Sequence, residues 1–369
     1  MMELVEEPKY IAKIKMVGIG GAGCNTINYA QGYGIQDVEC IAVNTDAQVL
    51  KLSMASEKVQ IGINLTHGLG AGGDPEIGRK AAEESRDQIR DLLKDADMVF
   101  LTCGQGGGTG TGASPLIAEE AKNAGALVVA VVTKPFEYEG VWRLGNAEKG
   151  IEELKELVDT LICIPNQKLV AVSPKEQSII EAFKVGNMVL FNAIKGIAEM
   201  ITKPGLINLD FADIRTVMIE KGAAVMGLGI GEGENRAIQA AQAAISSPLL
   251  DDVSIKGARG LLINITGGKD LTLTEVNEAN SLIMKETDCQ PKVINGVVVD
   301  EDMSGQVKVM VVATGITERP KEDHIDFSVK RENLEFPTFK RREVKQEAKE
   351  RVYNENDLEI PTFLRRQID

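Results

Sequence analysis

Six glycines and two threonines make up eight of the nine residues Gly104-Gln-Gly-Gly-Gly-Thr-Gly-Thr-Gly112. A segment so poor in side chains bares its backbone N–H groups. Folded as a nest it can present them to a phosphate, with the threonine hydroxyls as further donors. Its entropic cost has no evident return in packing. No lysine is present, so this is not the GxxxxGK[ST] loop, and neither that pattern nor an NKxD-type guanine reader occurs elsewhere in the chain. A second group, Gly18-Ile-Gly-Gly-Ala-Gly-Cys-Asn25, satisfies GxGxxG through Gly18, Gly20 and Gly23. That spacing fits a dinucleotide-binding turn with phosphate at a helix N-terminus, and also a merely tight turn. Against the dinucleotide reading, the next strand leads into Val43-Asn44-Thr45-Asp46 and not to a lone acid for a ribose. The third group, Gly68-Leu-Gly-Ala-Gly-Gly-Asp74, precedes Pro75, a favourable first helical residue, and reads equally as a plain loop.

Two further constellations carry charge. In Asn208-Leu-Asp210-Phe-Ala-Asp213 either aspartate can cap a helix and complement its dipole. Glu139 and Arg143 stand four apart, the spacing of a helical surface ion pair. The two histidines and five scattered cysteines give zinc sites and Ser-His-Asp chemistry almost no material, and the cysteines read as free thiols. A net charge of −14 argues against a broad basic nucleic-acid surface. No run of eighteen apolar residues predicts a membrane span, and the acidic start is unlike a signal peptide.

Short Val/Ile-rich runs at Lys13–Ile19, Val38–Val43, Met98–Thr102 and Leu127–Thr133 read as buried strands. Between them Asn25–Gln31, Pro75–Lys94 and Ser114–Asn123 read as helices. The alternation predicts an α/β fold with a doubly wound parallel sheet, whose ligands sit at the carboxyl ends of the strands. Gln177–Ile201, apolar on more than one face, reads as a long helix packed between two layers. A second, smaller α/β set follows, with helices at Phe211–Glu220, Arg236–Ile245 and Leu273–Lys285, the last capped by Thr272 or Thr274. Its strands are Ala223–Ile230, Gly260–Thr266, Val293–Val299 and Val307–Ala313. The expected organisation is a flexible N-terminus (1–10), a nucleotide-binding domain (11–176), a connecting helix (177–203) and a C-terminal domain (204–316). A disordered charged linker (317–356) and a partner-binding peptide (357–369) complete it. Twenty-five of the last 53 residues are charged and none is glycine. Within them Leu334–Glu343 and Leu358–Gln367 agree at seven of ten positions, and the first copy is a candidate second docking segment.

Gly106-Gly-Gly-Thr-Gly-Thr-Gly112, with the Gly20–Asn25 loop and Asn44-Thr45-Asp46, resembles the tubulin/FtsZ family from about Ile14 to Ile316 and again at the C-terminus. The resemblance implies a GTPase that binds GTP or GDP with Mg²⁺. It assigns phosphate contacts to Gly21, Ala22, Gly23, Cys24 and Asn25, to Gly72 and Gly73, and to Gly107, Gly108, Thr109 and Gly110, and GTP binding also to Gly20, Asn44 and Gly104. Glu139 and Arg143 fall beside the sugar and phosphates, and Asn166, Phe183 and Asn187 face the guanine. The metal ligands stay unassigned. Asn208, Asp210 and Asp213 act on the nucleotide of the next subunit, which implies head-to-tail filaments, since a heterologous contact does not close. The resemblance also implies a cytoplasmic location at the division site under the inner membrane, with self-association as the main partnership. Ile360, Pro361, Phe363, Leu364, Arg365 and Arg366 dock membrane-tethering and regulatory division proteins. No nucleic acid and no direct membrane insertion are expected. An NAD-dependent dehydrogenase and a non-catalytic nucleotide-binding scaffold are the other readings; the first leaves the Gly106–Gly112 loop unexplained and the second leaves Asn208, Asp210 and Asp213 without a role. Trp142, the only tryptophan, adjoins Arg143, so its emission is expected to report nucleotide binding.

Overall fold

Apolar residues alternate their side along the N-terminal strands, and both faces of the sheet are covered. The computed structural model describes residues 12–172, 178–203, 210–220, 222–250, 255–287 and 290–316. In the first part, strands β1 (Ile14–Ile19), β2 (Val38–Asn44), β3 (Glu57–Gln60), β4 (Met98–Gly104), β5 (Leu127–Lys134) and β6 (Thr160–Pro165) are all parallel. Helices α1 (Gly20–Gly32), α2 (Ala47–Leu52), α3 (Ile63–Thr66), α4 (Pro75–Glu84), α5 (Arg86–Leu93), α6 (Gly108–Asn123), α7 (Val141–Leu157) and α8 (Asn166–Val172) connect them. Met16, Phe100 and Val129 face α1 and the long helix α9 (Ile179–Thr202). Their neighbours Val17, Leu101 and Ala130 face α4, α5 and α6. This is the doubly wound arrangement that the alternation predicts.

The second part holds α10 (Phe211–Met218), β7 (Ala223–Glu232), α11 (Arg236–Ile245), β8 (Gly260–Gly267), α12 (Leu273–Lys285), β9 (Lys292–Val299) and β10 (Gln306–Ile316). The strand order across the whole sheet is β3-β2-β1-β4-β5-β6-β7-β10-β8-β9. β10 runs antiparallel to both of its neighbours. α9 starts at Ser178, which forms a capping box with Glu181. It joins the two parts, because one apolar cluster contains Leu190 and Ile194 together with Leu262 and Met310. Gly227, Gly229 and Gly231 on β7 let α11 lie directly on the strand: a Cβ on each would stand 2.0 Å from a carbonyl oxygen of Ala244, Ala240 and Arg236.

Several elements differ from the sequence reading. β3 is a four-residue edge strand with two exposed charges, too short and polar to show alternation. β6 ends at Pro165 and α7 contains Gly145 and Gly150, features that mask strand and helix patterns. The expected helix Pro75–Lys94 is two helices broken at Ser85, whose Oγ accepts from Gly62 N at 3.2 Å. α1 and α6 begin earlier than expected, inside the glycine groups.

Arg236 anchors the second part. Its guanidinium, 8% exposed, donates to Glu275 Oε1 at 2.7 Å and pairs with the Asp270 carboxylate. That contact pulls the Glu275 carboxyl down to about 2 from 4.5 and lowers Asp270 as well. Carboxylates held low in the fold contribute stability above their unfolded value, and the contribution is lost as pH falls through the folded value. The urea midpoint is therefore expected to fall between about pH 4.5 and 2. Arg236→Met should flatten that stretch and lower the midpoint at pH 7, because it leaves two carboxylates unpaired. An acid limb as steep as the wild type's would contradict this.

Candidate functional site

The strand order reverses between β1 and β4, where Ile19 lies beside Cys103. Such a reversal opens a crevice at the carboxyl ends of the strands. α1 and α6 both begin at this edge, and neither has a side-chain cap on its first N–H groups. The two starts touch, since a Cβ on Gly20 would stand 2.9 Å from Gly110 N. Two neighbouring uncapped N-termini present N–H donors and positive dipole ends, a setting for an anion.

The glycines divide into two kinds. Gly18 and Gly23 pack β1 on α1, and a Cβ on Gly104 would meet Ala22 Cβ at 2.9 Å. Gly108 and Gly112 are helical and let α6 meet the Ala71–Pro75 segment; a Cβ on Gly112 would stand 1.9 Å from Pro75 O. With Gly106 against Arg143 O and Gly110 against Gly104 O, five of the six glycines of the Gly104–Gly112 motif have a packing reason, which corrects the reading of it as one loop of donors without packing benefit. Gly21 and Gly72 have nothing within 4 Å of a Cβ, and Gly107 has only Gly104 O at 4.0 Å. These three positions leave backbone open to another molecule.

The side chains beneath this surface are mutually engaged. Thr109 Oγ1 lies 2.7 Å from Thr45 Oγ1, and Thr111 Oγ1 accepts from Gly106 N at 2.8 Å. The Thr111 hydroxyl therefore braces the turn. Cys24 is fully buried, with its thiol pushed up to about 11 by burial, and Asn44 Nδ2 donates to its sulfur at 3.7 Å. Asn44 Oδ1 accepts from Asp46 N at 3.2 Å. Cys24 and Asn44 shape the crevice from below, while Gly21, Ala22 and Asn25 are the exposed residues of the first turns of α1.

On the far rim, Glu139 Oε1 accepts from Phe136 N at 2.9 Å and Oε2 pairs with Arg143. The ion pair expected from spacing alone is present. Phe183 is 45% exposed and meets Phe136 edge-on, ring centres 5.5 Å apart. Asn187 Oδ1 accepts from Thr26 Oγ1 at 3.4 Å, which ties α9 to α1. Asn166 is 9% exposed at the start of α8. An aromatic face and two amides on this rim can take a flat heterocycle.

Asp210 and Asp213 are not brought to this crevice. Asp210 caps α10, its Oδ1 accepting from Asp213 N at 2.8 Å, and both side chains are exposed. The other end of α10 is tied to the start of β6, where Met218 O accepts from Thr160 Oγ1. That is the sheet edge opposite the glycine groups, and eight residues of helix carry Asp210 only about 12 Å from it. Asn208 and the six tail residues Ile360 to Arg366 lie outside the described residues. Among the described residues no group of three or more His, Cys, Asp or Glu is placed to cage a metal, and no helix is long and apolar enough to cross a membrane. Thr45 supports the site without being assigned to it from sequence, the Thr111 hydroxyl expected as a phosphate donor accepts from Gly106 N, and Trp142, expected only as a reporter, packs on Gly73. Thr45 stands beside Asn44 in the quoted motif, the only available signal.

The profile of the Tubulin/FtsZ family, GTPase domain, matches residues 13–174, and that of the FtsZ family, C-terminal domain, matches residues 222–317. The chain is 52% identical over 316 residues to the cell division protein FtsZ of Coxiella burnetii, covering 86% of this chain and 82% of that protein. An empty FtsZ dimer from M. jannaschii superimposes with a TM-score of 0.81 at 48% identity, over 84% of this chain and 90% of that one. A GTPγS-bound protofilament of CetZ2 from Haloferax volcanii shares the fold at a TM-score of 0.69 and 21% identity, over 83% and 93%. Matched in both of its parts, the chain belongs to the tubulin/FtsZ family of GTPases.

Proposed function

We propose that this chain binds GTP in the β1/β4 crevice and hydrolyses it only when a second copy stacks head to tail, building filaments of the bacterial division ring. The observation that carries the reading is the separation of the two chemistries: open glycines at one sheet edge, exposed aspartates toward the other. Residues 11–176 would supply the nucleotide pocket and 204–316 the acidic loop. The N–H groups at the starts of α1 and α6 would hold the phosphates, and Phe183, Asn166 and Asn187 the base. Phosphoryl transfer needs placement and charge control more than covalent help. The neighbour's Asn208, Asp210 and Asp213 would orient a water in line with the γ-phosphorus. Its oxygen bonds to phosphorus, the bond to the β–γ bridging oxygen breaks, and GDP and phosphate leave. Mg²⁺, for which the described residues supply no ligand cluster of their own, would be held through the bound nucleotide and would offset its phosphate charge. Because the γ-phosphate belongs to the contact, its loss weakens that contact and turns the filament over.

The filament would lie in the cytoplasm at the division site, tethered through Ile360, Pro361, Phe363, Leu364, Arg365 and Arg366 to membrane-bound and regulatory division proteins. GTP turnover measured against protein concentration tests the shared site. Phosphate release and light scattering should rise together above one critical concentration; release strictly proportional to protein at every dilution would exclude a site completed by a neighbour.

A further inference from the structure

Four glycines set the course of the Gly68–Asp74 loop. Gly70, Gly72 and Gly73 have φ of +88°, +58° and +81°, where glycine has freedom that other residues lack. Leu69 N bonds to Thr66 O, Ala47 N to Gly68 O and Asp74 N to Ala71 O, the last closing a turn around Gly72 and Gly73; among the described residues neither of those two glycines donates a backbone bond of its own. At Gly73 one side chain closes the loop, as those of Ala47 and Gln60 do at Gly68. Cη2 and Cζ3 of Trp142 lie 3.4 Å from a Cβ placed on Gly73, and nothing else comes within 4 Å. Trp142 is otherwise 61% exposed, so only the far end of its ring is spent on a contact of this kind. The helix carrying it is seated on the other glycine segment: Arg143 O stands 2.6 Å from a Cβ on Gly106, and Gln105 Oε1 stands 2.5 Å from a Cβ on Gly150. One element, α7, therefore touches both glycine segments.

We propose that Trp142 is a positioning residue that sets the preference for GTP over GDP, its ring holding the Gly72–Gly73 backbone in the conformation that meets the terminal phosphate. This rests on the reading of Gly72 and Gly73 as phosphate-facing. GDP lacks the group the loop would meet, so its affinity is indifferent to the order of the loop. GTP must order the loop, and without the ring its binding bears that cost. Ordering one backbone residue corresponds to about tenfold in Kd.

The test uses the full chain below its assembly concentration, with Kd measured for GTPγS and for GDP. Trp142→Ala should raise the GTPγS Kd about tenfold and leave the GDP value within about twofold. Trp142→Tyr, whose ring is nearly as long, should recover most of the loss, and the thermal midpoint should not move. In the wild type the single tryptophan should change its emission with GTPγS and far less with GDP. Equal shifts for both nucleotides, or affinities that stay unchanged while assembly is lost, would overturn the proposal; the second result would make Trp142 a filament contact. Gly72→Val tests the underlying reading separately. If that variant keeps the full GTPγS preference, the loop does not meet the terminal phosphate and the role of Trp142 falls with it.

Discussion

Asp213→Asn is expected to bind GTP with unchanged affinity and to release phosphate about a hundredfold more slowly or worse. The side chain is exposed on the first turn of α10, far along the chain from every residue of the crevice, so its loss should cost little stability. Asp210 needs a more careful substitution. Its Oδ1 caps α10, and alanine would forfeit about 1 kcal/mol of helix stability along with any chemistry. Asn keeps the cap and removes the charge, so Asp210→Asn separates the two roles. A slow Asp210→Ala paired with a fully active Asp210→Asn would mean that capping alone matters there. Hydrolysis at the wild-type rate by Asp213→Asn would remove the residue from the catalytic set.

Gly21→Ala should make the protein no less stable and yet impair it. A Cβ there meets nothing, and alanine favours the helix by up to about 1 kcal/mol. The added methyl occupies the space proposed for phosphate. Losing one charge-assisted hydrogen bond is worth about 1.5–3 kcal/mol, which is tenfold to over a hundredfold in nucleotide Kd. Gly112→Ala should do the reverse. Its Cβ would stand 1.9 Å from Pro75 O, so α4 must move off α6, a strain of about 1–3 kcal/mol or more. Thermal melts and nucleotide titrations on the two variants should show opposite patterns. If Gly21→Ala keeps full affinity, the open glycines are not the phosphate cradle.

These two variants also show what the sequence could and could not reveal. The strand–helix alternation was legible because buried parallel strands are continuous apolar runs. α11 and α12 were legible to the residue, since apolar spacing and the Thr272 cap agree. The position of the glycine groups at one sheet edge followed from topology. What each glycine does was not legible: Gly21 and Gly112 look alike in sequence, and only the packing of α4 on α6 tells them apart. Gly227 and Gly229 passed as ordinary residues of the expected strand Ala223–Ile230 and Gly231 fell just beyond it, because the need for α11 to lie directly on β7 exists only in three dimensions. Cys24 and Asn44 belong to the motif, but their side chains bond to each other beneath the crevice. The contact of Trp142 with Gly73 joins residues 69 apart, and no local pattern records it.

Complementation gives a functional view of the shared site. Asp213→Asn lacks the carboxylate and a Gly21→Val variant lacks the pocket, so each alone should be nearly inactive. Mixed in equal amounts, random pairing would rebuild up to roughly a quarter of the contacts with one intact half from each. A mixture as inactive as its parts would indicate that each subunit hydrolyses its own nucleotide.

The most direct measurement is the structure of the filament formed with a slowly hydrolysed GTP analogue. Asp210 and Asp213 of one subunit should stand within one water of the γ-phosphate held by the glycine edge of the next. Carboxylates facing solvent, or a pocket completed by residues of its own subunit alone, would contradict catalysis across the contact.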